Sequence, residues 1–276
     1  MTLTKKIVFS ILFSLIALGS YSQETTTGEA VDAVPVAKNN VLIVPFETKM
    51  YFSDIDKDLS QNSDLNFHEI KAKFRAELDR NLFISLKEFY NPLSFYSIEQ
   101  SEAIKELSYI YNSIGYKYEI IQPEVVEKEN VAKKLFNKVK KKEAEPEEAK
   151  IQNGEIISQV DNREKYMKTT ITNEKLIPTL NSQHQAKYYI FINQLDIKRS
   201  ADDAYKAAEH QYKREIKVHY TVLDNEGKEV TSGAIISRFN SGENDINKII
   251  KIHFPLITEK IVANILGPLP EQAIVK

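Results

Sequence analysis

The sequence predicts an α/β protein of the two- or three-layer α+β kind: a mixed sheet of about five strands with amphipathic helices packed on it. Three neighbouring stretches carry that expectation. Residues 212–223 alternate, with Ile216, Val218, Tyr220 and Val222 on one face and Lys217, His219 and Thr221 on the other, the period of a half-buried strand. Asp224-Asn225-Glu226-Gly227 supplies turn chemistry, and residues 228–239 return as a second strand, so the pair reads as an antiparallel hairpin. Before them, Tyr188, Tyr189, Ile190, Phe191 and Ile192 follow one another without a break inside residues 187–197, which predicts a strand covered on both faces.

At the N-terminus, Lys5 and Lys6 precede an apolar run ending at Leu18, and Ser20 and Ser22 satisfy the small-x-small rule for cleavage. Residues 1–22 therefore read as a signal peptide, because a run of about 12 apolar residues is shorter than the roughly 20 that span a bilayer. The expected address is periplasmic or extracellular, reached through a cleaved leader, with no transmembrane helix in the mature chain. Residues 23–40 have no usable period and read as a flexible leader of the mature protein.

Val41-Leu42-Ile43-Val44-Pro45-Phe46 reads as a buried strand ended by proline, which has no N–H for the ladder. Residues 48–66 are polar and read as a long connection. Residues 67–89 predict a helix whose stripe is Phe67, Ile70, Phe74, Leu78, Leu82 and Phe89. A short strand at 93–97 should pair parallel with the first, as a right-handed βαβ unit requires. Ser97-Ile98-Glu99-Gln100 then reads as a capping box for a helix burying Ile104, Leu107, Ile110 and Ile114, with Gly115 as its left-handed C-cap. Residues 116–121 alternate as a short strand.

Residues 122–164 form a charged insertion, in which residues 127–150 read as a solvent-exposed helix with a frayed acidic end and Val131, Leu135, Phe136 and Val139 are the apolar groups available for a stripe. Asn153-Gly154 is a turn signal, residues 166–171 read as a strand, and residues 173–183 as a short helix interrupted near Pro178. Residues 199–211 are a polar excursion between the first two central strands. Ser241 is the expected cap of a last helix reaching Leu266, with a kink near Lys251 because Pro255 removes one backbone hydrogen bond. Residues 41–266 thus read as one domain carrying an insertion, followed by a tail.

Composition strikes off several chemistries. The chain contains no cysteine, so a lipid-anchoring thiol, a disulfide framework, a CxxC metal site and a cysteine nucleophile are all excluded. The formal charge of −2 becomes more acidic once the leader and its two lysines are removed, which argues against nucleic acid as a partner. The eight glycines are scattered, so neither a P-loop nor a dinucleotide fingerprint is present, and the five histidines never take HExxH spacing. No cofactor, metal or catalytic residue is predicted. Asp54, Asp56 and Asp58 open like a calcium loop, but Leu59 and Leu65 stand where glycine and glutamate are required, so a solvated loop is the expectation.

Two surfaces remain as candidate contacts. Asp54, Asp56 and Asp58 follow the first strand's carboxyl end, where open α/β sheets place ligand crevices, and Met50, Tyr51 and Phe52 add apolar groups. The excursion contributes Arg199, Asp203, Tyr205 and His210. A hydrolase site between these two segments is the alternative to a binding role, and a subunit of an oligomeric envelope assembly is a third reading.

The element order, a strand ending Pro-Phe at residues 41–46, then helix, short strand, helix, three-strand antiparallel set and closing helix, resembles the TolB N-terminal, CsgG and LpoB-like envelope domain. That resemblance implies a non-catalytic envelope module that binds other proteins, such as other envelope components. Departures limit what carries over: no lipid-anchoring cysteine follows the leader, no propeller follows the last helix, and no pair of long alternating hairpins would build a pore.

Overall fold

A computed structural model describes residues 38–121, 150–152, 155–157, 163–200 and 212–267. The expected signal peptide and most of the expected leader, most of the charged insertion, the Asn153-Gly154 turn and the greater part of the 199–211 excursion therefore lie outside the described residues. The strands are β1 (Asn40–Val44), β2 (Tyr51–Ser53), β3 (Asn91–Ser94), β4 (Ile114–Ile120), β5 (Lys150–Gln152), β6 (Glu155–Ile157), β7 (Lys165–Ile171), β8 (Ala186–Arg199), β9 (Lys213–Asp224) and β10 (Glu229–Asn240). The helices are α1 (Asp56–Gln61), α2 (Phe67–Leu86), α3 (Gln100–Asn112), α4 (Leu176–His184) and α5 (Ile246–Leu266).

Six strands form one mixed sheet in the order β10-β9-β8-β1-β3, with β2 pairing β8 off that path. β1 runs parallel to β3, with Leu42 opposite Leu93, as the βαβ reading requires. β8 and β9 are antiparallel, as are β9 and β10. The 14 residues of β8 serve two short parallel partners in turn, β1 along Ala186–Phe191 and β2 along Leu195–Ile197. Residues 48–66 are thus no loop: they hold a 3-10 turn at Thr48–Met50, then β2 and α1. Elements of three and six residues are too short for a period to show.

The sheet is covered on both faces, giving three layers. On one face α1, α2 and α5 close over Val41, Ile43, Ile190, Ile192, Val218 and Tyr220. On the other, α3 and α4 close over Leu42, Val44, Tyr189 and Phe191. There too the antiparallel ribbon of β4 and β7 lies across β8, β9 and β10. Lys217, His219 and Thr221 are consequently buried, so β9 is not half-buried as its alternation predicts. The ribbon reaches them from far along the chain, which alternation within one strand cannot report.

Helix boundaries shift from the expected ones where caps compete. α2 is opened by Asn66, which accepts from the His68 and Glu69 amides while Glu69 reaches back to the Asn66 amide at 2.8 Å. Ile70, Phe74, Leu78 and Leu82 face the core, whereas Phe67 on the first turn and Phe89 beyond the last stay exposed. Glu99, not Ser97, caps α3, accepting from the Ser101 and Glu102 amides. Ile104 points outward at 60% exposure, and Ala103 and Ile110 take the core positions. Gly115 lies inside β4, where a Cβ would come within 3.2 Å of the Thr170 hydroxyl, so it serves close packing and no left-handed cap. Pro178 occupies the first turn of α4, where its missing N–H costs nothing, and the helix is not interrupted. Asp245 instead of Ser241 caps α5, which runs unbroken through Pro255.

Candidate functional site

The ends of β2, β8 and β9 meet beside the start of α1, and there a cleft of ≈ 360 Å³ opens. Two of the residues expected from the 48–66 segment, Asp54 and Asp58, line it together with Arg199. Ile55, Tyr212 and Arg214 complete the lining. Pairing of β2 with β8 fixes the register that produces this meeting, because the Asp54 amide donates to the Ile197 carbonyl at 2.9 Å.

Most of the charge here is engaged within the site. Arg214, 3% exposed, directs its guanidinium at the Asp58 carboxylate and donates to Asn244 Oδ1 at 2.7 Å and to the Glu243 carbonyl at 3.3 Å. Arg199 is exposed and lies over the Tyr212 ring at 4.3 Å. Tyr51 is buried and donates to Asp56 Oδ1 at 2.6 Å. Burial first, and that carboxylate second, push its phenol well above the ordinary range, so Tyr51 acts as a neutral donor. Asp56 and Asp58 both fall on the first turn of α1, an ordinary place for acids near a helix N-terminus, and their partners are Tyr51 and Arg214, not each other. This replaces the solvated calcium-like loop. Phe52 stays exposed with the Lys198 ammonium 5.7 Å from its ring centre, and Met50 is half-buried against the core. Asp203, Tyr205 and His210 lie outside the described residues.

Arg214 was the readable clue that the sequence pattern passed over: it shares the face of Ile216, Val218 and Tyr220, and a charge on a core face demands a partner. Two further polar clusters went unforeseen. Arg75 ties the end of β1 to the helices, donating to the Phe46 carbonyl at 2.7 Å, to Tyr96 at 3.0 Å and to Tyr111 at 2.9 Å. Behind it Asp79 is buried, accepts from Ser94 at 2.5 Å, and has its carboxyl pushed up to about 6 by desolvation.

The second cluster is the seam between the sheet and β7. A bulge in β8 between Ile192 and Gln194 re-aims Asn193 into the seam, and Asn193 donates to the Met167 carbonyl at 2.8 Å and accepts from Thr169 Oγ1 at 2.6 Å. Thr221 Oγ1 accepts from the Thr169 amide at 3.0 Å, and His219 Nδ1 accepts from the Met167 amide at 2.8 Å. That acceptor role puts the His219 proton on Nε2, which sits 3.5 Å from Asp196 Oδ2, within ion-pair range but not hydrogen-bonded. Desolvation holds the imidazole below its ordinary value against the opposing pull of Asp196. Side chains here do for β7 what a neighbouring strand would otherwise do.

Among the described residues no group of three or more His, Asp or Glu side chains is placed to hold a metal ion, and no helix is long and apolar enough to cross a membrane. No family model matches the chain, and no curated protein matches it. Among solved structures, the hypothetical protein CT253 from Chlamydia trachomatis is similar at 14% identity and a TM-score of 0.32, over 83% of this chain and 94% of that one. The lipoprotein GNA1162 from Neisseria meningitidis is similar at 11% identity and a TM-score of 0.30, over 81% of this chain and 98% of that one. Likeness at this level assigns neither a family nor a function, and neither protein carries the name of the family that the element order resembles.

Proposed function

We propose that the chain is an exported cell-envelope protein that acts as a non-catalytic protein-binding or scaffolding module. One observation carries this reading: in the cleft beside β2, Asp58 and Arg199 are committed to Arg214 and Tyr212, and next to it Asp56 is committed to Tyr51, an arrangement that fixes a charged and aromatic surface. Arg199, exposed in the cleft lining, and Phe52, exposed on the other face of β2 beside Lys198, are residue types suited to protein contact. The leader pattern at residues 1–22 supports export, and residues 41–266 are read as one domain with its charged insertion at 122–164.

A photoreactive amino acid in place of Phe52, irradiated in the native envelope, tests the reading. A discrete adduct with another envelope protein, lost when Arg199→Glu is added, is the expected result. Absence of any adduct, together with ester or peptide hydrolysis that disappears in His210→Ala, would replace it with the hydrolase alternative.

A further inference from the structure

The β4–β7 ribbon is held to the sheet differently at its two ends. At one end Ile114, Tyr116 and Ile171 pack in the apolar core under α3 and α4, whereas residues 118–120 and 165–169 contribute to neither apolar core. Polar bonds fasten that distal half instead, running from side chains of the sheet to the backbone of β7. The Met167 and Thr169 amides donate to His219 Nδ1 at 2.8 Å and to Thr221 Oγ1 at 3.0 Å. The Met167 and Lys165 carbonyls accept from Asn193 and from Lys217, each at 2.8 Å.

One of these bonds depends on a proton. His219 is 1% exposed, and Nδ1 accepts from the Met167 amide only while that nitrogen is bare. A second proton on the ring turns Nδ1 into a donor, so two N–H groups would face each other in a buried site. Thr221 and Asn193 do not titrate, and imidazole is the side chain whose ordinary value falls between pH 5 and 8. Around the ring, β8 places Asp196 Oδ2 3.5 Å from Nε2, with Lys198 on the same carboxylate at 3.2 Å. β9 places Lys217, paired with Glu164, and β4 places Tyr118, which donates to Gln194. On β7, Lys165 is exposed, Tyr166 and Lys168 bond Glu119 of β4, and Lys168 also pairs with Glu229 of β10, whose residue opposite His219 is the uncharged Ala234. Burial opposes the imidazolium, Lys217 and Lys198 add to that, and Asp196 works against them without overcoming them.

We propose that His219 is a proton-controlled latch: on acidification it releases the Met167 amide, and the distal half of the β4–β7 ribbon lifts from the sheet about its Ile114–Ile171 end. In the lifted state both ring nitrogens reach water and the ring takes its proton at the ordinary value, whereas the closed seam excludes it. The closed state is therefore favoured in full above about pH 6.5 and loses ground as pH falls below it. One coupled proton makes lifting about tenfold more frequent at pH 5.5 than at pH 7.5. Lifting bares the outer edge of β7 together with Asn193, Thr221 and Lys217 on the sheet. The latch stands independently of the binding-module reading, since it uses no residue of the cleft beside β2.

Residue-resolved amide exchange of the full chain, corrected for the intrinsic effect of pH, tests the latch. Protection of the Met167 and Thr169 amides should fall about tenfold from pH 7.5 to pH 5.5, and at pH 5.5 it should lie below that of the β8 and β9 amides. In His219→Asn, whose carboxamide oxygen can take the place of Nδ1 and binds no proton, protection of both amides should stay level over that range. Should this variant fail to fold, the ring nitrogen shifts of wild-type His219 serve: the Nε2–H tautomer at pH 7.5, and a doubly protonated ring that grows in as Thr169 loses protection. Level protection in the wild type, an equal fall in folded His219→Asn, or ring protonation with Thr169 still protected overturns the proposal. So does a fall at Met167 and Thr169 that only matches the fall at β8 and β9, because the ribbon would then open with the whole molecule and not by itself.

Discussion

At the scale of single residues, the fold depends on buried polar groups being answered. Arg214 is buried while Asp58 is nearly half exposed, so Asp58→Ala leaves a guanidinium with neutral partners only. Unfolding in urea should show a loss of about 1–3 kcal/mol, below the full cost of stripping a wholly buried pair. Asn193 is completely buried and makes three side-chain hydrogen bonds in the seam, so Asn193→Leu should cost about 2–3 kcal/mol by the same measurement. Titration has a sign that can be worked out. His219 and His253 are both held below the ordinary histidine value, mainly by burial, so the unfolded chain takes up their protons first as pH falls. Their contribution is complete above about 6.5 and is lost as pH drops below it. Asp79, raised to about 6, works in the other direction, because its neutral form is the one the fold prefers as pH falls through that value. Between pH 7 and 5, His219→Gln should therefore lose less stability than the wild type, and Asp79→Asn should lose more.

At the scale of elements, turn and cap chemistry decides local conformation. Gly227 closes the β9–β10 hairpin with φ +80°, and Asp224 Oδ1 accepts from the Glu226 and Lys228 amides around it. A Cβ at position 227 would also stand 3.3 Å from Ile177. Gly227→Ala should thus lower stability by about 1 kcal/mol or more, seen as a lower thermal midpoint. This hairpin and the strand at β7 were legible in the sequence because alternation and turn residues are local signals, and the parallel β1–β3 pair followed from the strand–helix–strand order. β2 and α1 were not, because three- and six-residue elements carry no period. Nor was the Glu99 cap, where two acceptors compete two residues apart and only the folded geometry decides.

At the scale of the whole molecule, alternation along β9 predicts two faces but not what covers them. Lys217, His219 and Thr221 look solvated until β7, which precedes β9 by about fifty residues, lies over them. The same limit explains the candidate site. Asp54, Asp58 and Arg199 could be named from the chain, whereas their meeting depends on β2 pairing with the distal half of β8. What emerges is a sheet covered on both faces, with its burial concentrated in β8 and β9.

Hydrogen exchange of the full chain, alone and with the partner cross-linked through position 52, tests that picture most directly. The account predicts that amides of β8 and β9 exchange slowest in both states and that protection is gained at Tyr51–Ser53 and the start of α1. Rapid exchange along β8 in the free protein, or protection gained in the sheet centre while the β2 segment is unchanged, would contradict it.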